Sequence, residues 1–106
     1  LRLSLNRLGI TQLRRAAAVA ETYYTAIAPH HTGGPIATAA ALHLAASLPN
    51  FFIQEVPAVL DRETRQLRDE LVGGPIEAVK DGYFALTTKP GLGIRVNEAV
   101  IRRMAQ

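Results

Sequence analysis

An α/β architecture built from strand–helix units follows from three features of the 106-residue sequence. Two helical stretches, 11–24 and 35–48, alternate with two short apolar runs, "TAIA" at 25–28 and "FFIQE" at 51–55. The strand-like runs carry no charge before Glu55, as expected of strands in a parallel sheet covered by helices. Finally, 26 residues separate Thr25 from Phe51, close to the about 30 residues per unit of an eight-fold βα barrel. Only about two and a half such units fit here, and two or three parallel strands leave open sheet edges instead of closing.

Taken in order, the residues before 11 are expected to hold the stump of a further strand. "TQLRRAAAVAETYY" then places Leu13, Ala16, Ala17, Ala20 and Tyr24 on one face and Gln12, Arg14, Arg15 and Glu21 elsewhere, the pattern of an amphipathic helix. After the strand at 25–28, "PHHTGG" leads to Pro35, a residue suited to the first helical position. "PIATAAALHLAASL" is apolar on nearly every side, so this helix should be packed over most of its surface. "PN" turns the chain into the run at 51–55.

The character changes after Glu55, and we divide the chain into 1–60, the strand–helix units, and 61–106, a tail. "DRETRQLRDEL" predicts a solvated helix capped by Asp61 and ended near Gly73. "PIEAVKDGYFAL" predicts a hairpin turning at Lys80–Gly82. "NEAVIRRMAQ" predicts a last helix capped by Asn97, with Val100, Ile101 and Met104 inward.

Twelve basic residues against nine acidic ones give a net charge of +3, spread through mixed clusters and not interleaved with aromatics, so a nucleic-acid partner is not expected. No cysteine is present, which excludes disulfides, a thiol nucleophile and thiolate metal sites and suits a cytoplasmic setting. Residues 22–54 hold no Asp, Glu, Lys or Arg, yet Pro29, Gly33, Gly34, Pro35 and Pro49 cut the run into pieces too short for a bilayer. No membrane partner is expected, and the run reads as core. The chain opens on Leu1 without a basic-then-apolar leader, so we expect no targeting peptide and take the chain to be a piece of a longer protein.

The residues with chemical potential lie where the strands end. His30 and Glu55 immediately follow consecutive strands, the position from which barrel side chains face an active site. A histidine there has the pKa range for acid or base work, and a carboxylate one strand away could tune it or hold a substrate hydroxyl. The alternatives are a loop histidine bonded to backbone and a glutamate capping a neighbouring helix. His31 is a loop or substrate-pocket residue, and His43 a packed or half-exposed helix histidine. Adjacent histidines with diverging side chains and no third ligand make a poor metal site. "VGGP" and "PGLG" are turns without phosphate-loop spacing, and the "GGP" before Ile36 could offer amides to an anion.

"GITQLRRAAAVAETYYTAIAPHHTGGPIATAAALHLAASLPNFFIQE", followed by "KPGLGIRVNE", resembles the carboxyl-terminal part of the enolase superfamily, mandelate racemase/muconate lactonizing enzyme subgroup, and more narrowly its galactonate dehydratase-like acid-sugar dehydratases. The likeness runs from about Gly9 to Glu98. It implies the last part of a TIM-type (β/α) barrel, with 25–28 and 51–54 as the seventh and eighth strands and a tail returning to the capping domain. It also implies His30 as the general acid or base that helps a 3-hydroxyl leave, and Glu55 as a hydrogen-bonding partner of substrate or intermediate. In that family a magnesium ion on three upstream carboxylates stabilises an enediolate formed by removing the proton alpha to a sugar-acid carboxylate. The family's sixth strand usually carries an Asp that pairs with the histidine, followed by Gly-Gly; here "LRLSLNRLGIT" has no acidic residue, and Leu8 stands where the first glycine would be.

The expectation is therefore part of a magnesium-dependent acid-sugar dehydratase, a carbon–oxygen lyase acting on a sugar acid. Alone, this chain should bind no metal or other cofactor and should not catalyse. The alternative is a non-catalytic association module that pairs through its open sheet edge with the missing barrel portion or, as a homo-oligomer, with another copy.

Overall fold

In the computed structural model, residues 1–59 and 61–106 are described; the expected division at residue 60 thus falls on a position outside the described residues. The elements in order are α1 (Leu5–Thr22), α2 (Pro35–Ala46), α3 (Arg62–Val72), a hairpin of β1 (Val79–Lys80) and β2 (Tyr83–Phe84), and α4 (Glu98–Met104).

Three extended segments lie side by side ahead of and between the first helices. Parallel bridges join Ser4 to His30 and Ile27 to Phe51. Ala28 N–H donates to Leu1 O (2.9 Å) and His30 N–H to Leu3 O (2.8 Å), while Ile27 N–H donates to Asn50 O (2.8 Å) and Phe52 N–H to Ile27 O (2.9 Å). The spatial order is thus 1–4, 26–30, 50–52, with each segment followed by a helix or the tail. The expected stump before residue 11 is present as backbone pairing. The segments at 25–28 and 51–55 are reduced to isolated bridges, and among the described residues the last is bridged on one side only. What stands in the structure is a set of helices with a small sheet, not a closed barrel.

Side-chain alternation along these segments separates two faces. Leu3 and Ile27 point toward the helices and pack with Leu5, Leu13, Ala17, Ala20, Ala41, Leu44 and Leu48 in one core. Small alanines on both helices let α1 and α2 pack closely, and Asn50 fastens this layer by donating from Nδ2 to Ala17 O and Thr25 O, both 3.0 Å. The uniformly apolar α2 is buried along most of its length and packs on α3 as well as α1; α3 in turn packs on α4.

The first helix begins earlier than expected, at Leu5, and breaks at Gly9, which adopts φ 69°, ψ 173°. That conformation is accessible essentially to glycine alone, and it lets Leu5 and Leu13 both reach the core from a bent helix. Tyr24 leaves the predicted inner face: the helix ends at Thr22, and Tyr24 turns to φ 55° in solvent. The expected burial of 51–55 is also corrected, since Phe52 is 74% and Ile53 58% exposed. They lie beyond the covered segment 26–30, with no further segment alongside among the described residues. On α4 only Val100 is buried, and Ile101 and Met104 are exposed, because α4 is short and touches one neighbour. The capping reading agrees with the structure: Asp61 accepts from Thr64 N–H (2.7 Å), Asn97 from Val100 N–H (3.4 Å), and Gly73 ends α3 in the left-handed conformation. The hairpin turns on Asp81 and Gly82, both at positive φ, as a tight two-residue connection requires. Among the described residues, no helix is long and apolar enough to cross a membrane.

Candidate functional site

The ends of the three parallel segments bring His30 and Glu55 together. His30 Nε2 lies 3.8 Å from Glu55 Oε2, too long for a hydrogen bond but within reach of an ion pair when the imidazole carries a proton. A third residue, unforeseen from the sequence, completes the cluster. Arg2 reaches from the first segment and grips Glu55 with two N–H groups, Nη2 to Oε1 at 2.7 Å and Nε to Oε2 at 3.3 Å. Its signal was the alternation in "LRLSL": with Leu1, Leu3 and Leu5 on one side, Arg2 and Ser4 must lie on the other, the face that also carries His30. The His31 main-chain N–H adds a further donor to Glu55 Oε2 (3.2 Å).

Partial desolvation pushes the Glu55 carboxyl up, but the Arg2 hydrogen bonds, the His31 amide and the nearby cation outweigh it and hold the group below the usual carboxylate range. Glu55 is therefore an ionised acceptor across neutral pH, facing a half-buried imidazole.

His31 turns the other way. Its ring is fully buried, and both ring nitrogens are engaged: Nε2 with Thr38 Oγ1 at 2.7 Å and Nδ1 with Gly33 N–H at 3.4 Å. The expected substrate-pocket position is thus not where the side chain sits, because the apolar α2 below the loop offers a hydroxyl to receive it. Thr38 continues the chain of contacts by a short hydrogen bond to Glu77 Oε1. Glu77 is held in turn by Arg68, Nε to Oε2 at 2.6 Å and Nη2 to Oε1 at 2.7 Å, and the same Nη2 donates to Gly33 O at 3.1 Å. Burial lowers the His31 pKa, with Glu77 partly opposing. Burial also pushes the Glu77 carboxyl up, but Arg68 and Thr38 overcome this and leave it below its ordinary range. Sequence reading gave no hint of this network, whose members are spread over residues 31–77. His43, by contrast, is half-buried on α2 as expected.

Neither Glu55, beside His30, nor Glu77, in the buried network, suits a magnesium ion. Both Glu55 oxygens are taken by Arg2, both Glu77 oxygens by Arg68, and among the described residues no group of three or more potential ligands converges.

A histidine and a carboxylate thus meet at the ends of consecutive parallel segments, each followed by a helix or the tail. The sequence profile described as "Enolase C-terminal domain-like" matches residues 1–100. The chain belongs to the enolase superfamily, mandelate racemase subgroup. It is 38% identical over 94 residues to the D-galactonate dehydratase of Pectobacterium atrosepticum, covering 88% of this chain and 25% of that protein. It is also 38% identical over 96 residues to the D-galactonate dehydratase of Xanthomonas campestris pv. campestris, covering 90% and 25%. Among solved structures, the mandelate racemase/muconate lactonizing enzyme from Sulfitobacter sp. superposes with a TM-score of 0.74 at 37% identity, covering 89% of this chain and 22% of that one. An enolase of the mandelate racemase subgroup from Agrobacterium tumefaciens superposes with 0.79 at 26% identity, covering 97% and 27%. The chain spans about a quarter of the length of the curated relatives it matches.

Proposed function

We propose that this chain supplies the last strand–helix units of a (β/α) barrel in an acid-sugar dehydratase, with His30 as general acid or base and Glu55 as its charged partner. The observation that carries this reading is the His30–Glu55 pair on the open face of the parallel segments, in a chain 38% identical to D-galactonate dehydratases. In the elimination, protonated His30 gives its proton to the departing 3-hydroxyl, which leaves as water with the electrons of its carbon–oxygen bond. Ionised Glu55, beside the ring, accepts a hydrogen bond from a substrate hydroxyl. Arg2 keeps Glu55 ionised and limits its movement. The residues here do not fit a magnesium ion; in this reading, the metal that stabilises the intermediate belongs to carboxylates outside this chain.

The test is a chimera in which this chain replaces the matching carboxyl-terminal quarter of the Pectobacterium D-galactonate dehydratase. Dehydration of D-galactonate is expected from the chimera and not from this chain alone. His30→Asn should lower kcat by about 10²–10⁴, the usual share of a general acid or base. A folded chimera whose turnover is indifferent to His30→Asn would end the assignment.

A second reading is favoured by one surface. Phe51, Phe52, Ile53 and Tyr83 line a cleft of about 290 Å³ beside the open edge of the 51–52 segment. Under this reading the piece acts as an association module whose edge is covered by the preceding strands of the barrel. Sedimentation of a well-folded, non-associating monomer would exclude it.

A further inference from the structure

Among the described residues, Thr38, Glu77 and Arg68 form no hydrogen bond or ion pair with His30 or Glu55, yet a continuous path of hydrogen bonds through His31 joins them to Glu55. Thr38 has one hydroxyl proton, and Glu77 can only accept, so the proton lies toward Glu77. The Thr38 oxygen must then accept from His31, which puts the ring proton on Nε2. Nδ1 is left free to accept from Gly33 N–H, where a second ring proton would face a donor. The weaker contact of Thr38 with Gly34 O, at 3.4 Å, competes poorly with an ionised carboxylate.

With its ring fixed inside the fold, His31 has little freedom to move its own main chain. The loop is held on both sides, by Arg68 on Gly33 O and by Gln54 Nε2 on Pro29 O at 3.2 Å. Its amide meets Glu55 Oε2, the same oxygen that faces His30.

We propose that Thr38, Glu77 and Arg68 are positioning residues: they fix His31 as the Nε2–H tautomer and so hold the His31 amide on Glu55, setting the carboxylate opposite His30. The purpose of that setting rests on the reading of His30 and Glu55 as the reacting pair, whereas the setting itself is testable without substrate. The tail beyond residue 60 thus adjusts the site at the segment ends through α2, without contributing a group to it.

The experiment is ¹⁵N NMR of this chain, reading the His31 imidazole nitrogens and the His31 amide through an acid titration. The charged and polar groups facing Glu55 are Arg2, His30 and the His31 amide itself. In the wild type the imidazole should show the neutral Nε2–H pattern, and the amide shift should step with Glu55 ionisation below the usual carboxylate range. Thr38→Val keeps the shape but removes the hydroxyl; both signatures should be lost, and Thr38→Ser should restore them. If Thr38→Val does not fold, Thr38→Ala, which also lacks the hydroxyl, is read in the same way and should lose the fixed tautomer. A full-sized amide step in the folded variant would overturn the proposal and reduce the network to packing. So would a wild-type ring protonated on Nδ1. A dead chimera with these spectra intact would remove the catalytic reading and leave the positioning in place.

Discussion

Replacing Arg68 by Met probes the tail network at its strongest contact. Arg68 and Glu77 side chains are only 16% and 18% exposed and share two short N–H···O contacts. Removing one partner of a fully buried pair costs about 3–5 kcal/mol, because the other charge is left uncompensated. With this residual exposure, about 2–3 kcal/mol is expected. At a urea slope of about 1–3 kcal/mol/M, the midpoint at pH 7.5 should fall by roughly 0.7–3 M. The double replacement Arg68→Met with Glu77→Met should cost less than the sum of the two single ones, since no orphan charge remains. The pH dependence has a definite sign. Glu77 is depressed in the fold, so its contribution is present above the unfolded pKa, about 4.3, and is lost as pH falls through the lower folded value. His31 is also depressed, so folding excludes a proton that the unfolded chain takes up near pH 6.5; stability should already decline as pH falls below about 6.5. In Arg68→Met the buried carboxyl is free to protonate, so the penalty should shrink toward acid pH. A midpoint unchanged at pH 7.5, or a penalty that grows on acidification, would refute the reasoning.

Other substitutions test the frame around the site. Gly9→Ala should cost about 1–3 kcal/mol, read by thermal unfolding, through backbone strain alone, because an added Cβ meets no atom within 4 Å. Leu13→Ala empties a fully buried core position and should cost about 2–5 kcal/mol in urea unfolding. Phe52→Lys changes a residue that is 74% exposed; stability should move by no more than about 0.5 kcal/mol, while any self-association seen by sedimentation should weaken.

The alternation of helices with uncharged runs was legible because it reflects burial, and burial leaves a periodic trace. The caps Asp61 and Asn97, the stop at Gly73 and the turn at Asp81–Gly82 were legible because each depends on a few adjacent residues. What failed depended on neighbours. Phe52 and Ile53 have the composition of a buried strand, but among the described residues no further strand pairs with their outer edge. Tyr24 continues the helical period on paper, yet the helix stops two residues before it. Glu77 looks like one more charge in a polar tail, and only the fold brings it to Thr38, 39 positions away.

The absence of an acidic residue in "LRLSLNRLGIT" weighed against His30, since a histidine without a carboxylate neighbour lacks what sets its charge. Distance in the fold alters that argument. Glu55, on the opposite side of His30 from the first segment, stands 3.8 Å from Nε2. The first segment contributes a cation instead, Arg2, which grips Glu55. A lone carboxylate beside His30 would be free to turn and to protonate as desolvation demands; bound by Arg2 and the His31 amide, it has neither freedom. The first segment thus contributes a cation to the cluster, while the anion that faces the imidazole comes from beyond the third. Arg2→Ala separates the two effects. If Arg2 serves mainly to keep Glu55 ionised, the acid-range step at the His31 amide should move to higher pH and persist. If Arg2 instead holds Glu55 in place, the step should vanish together with the contact.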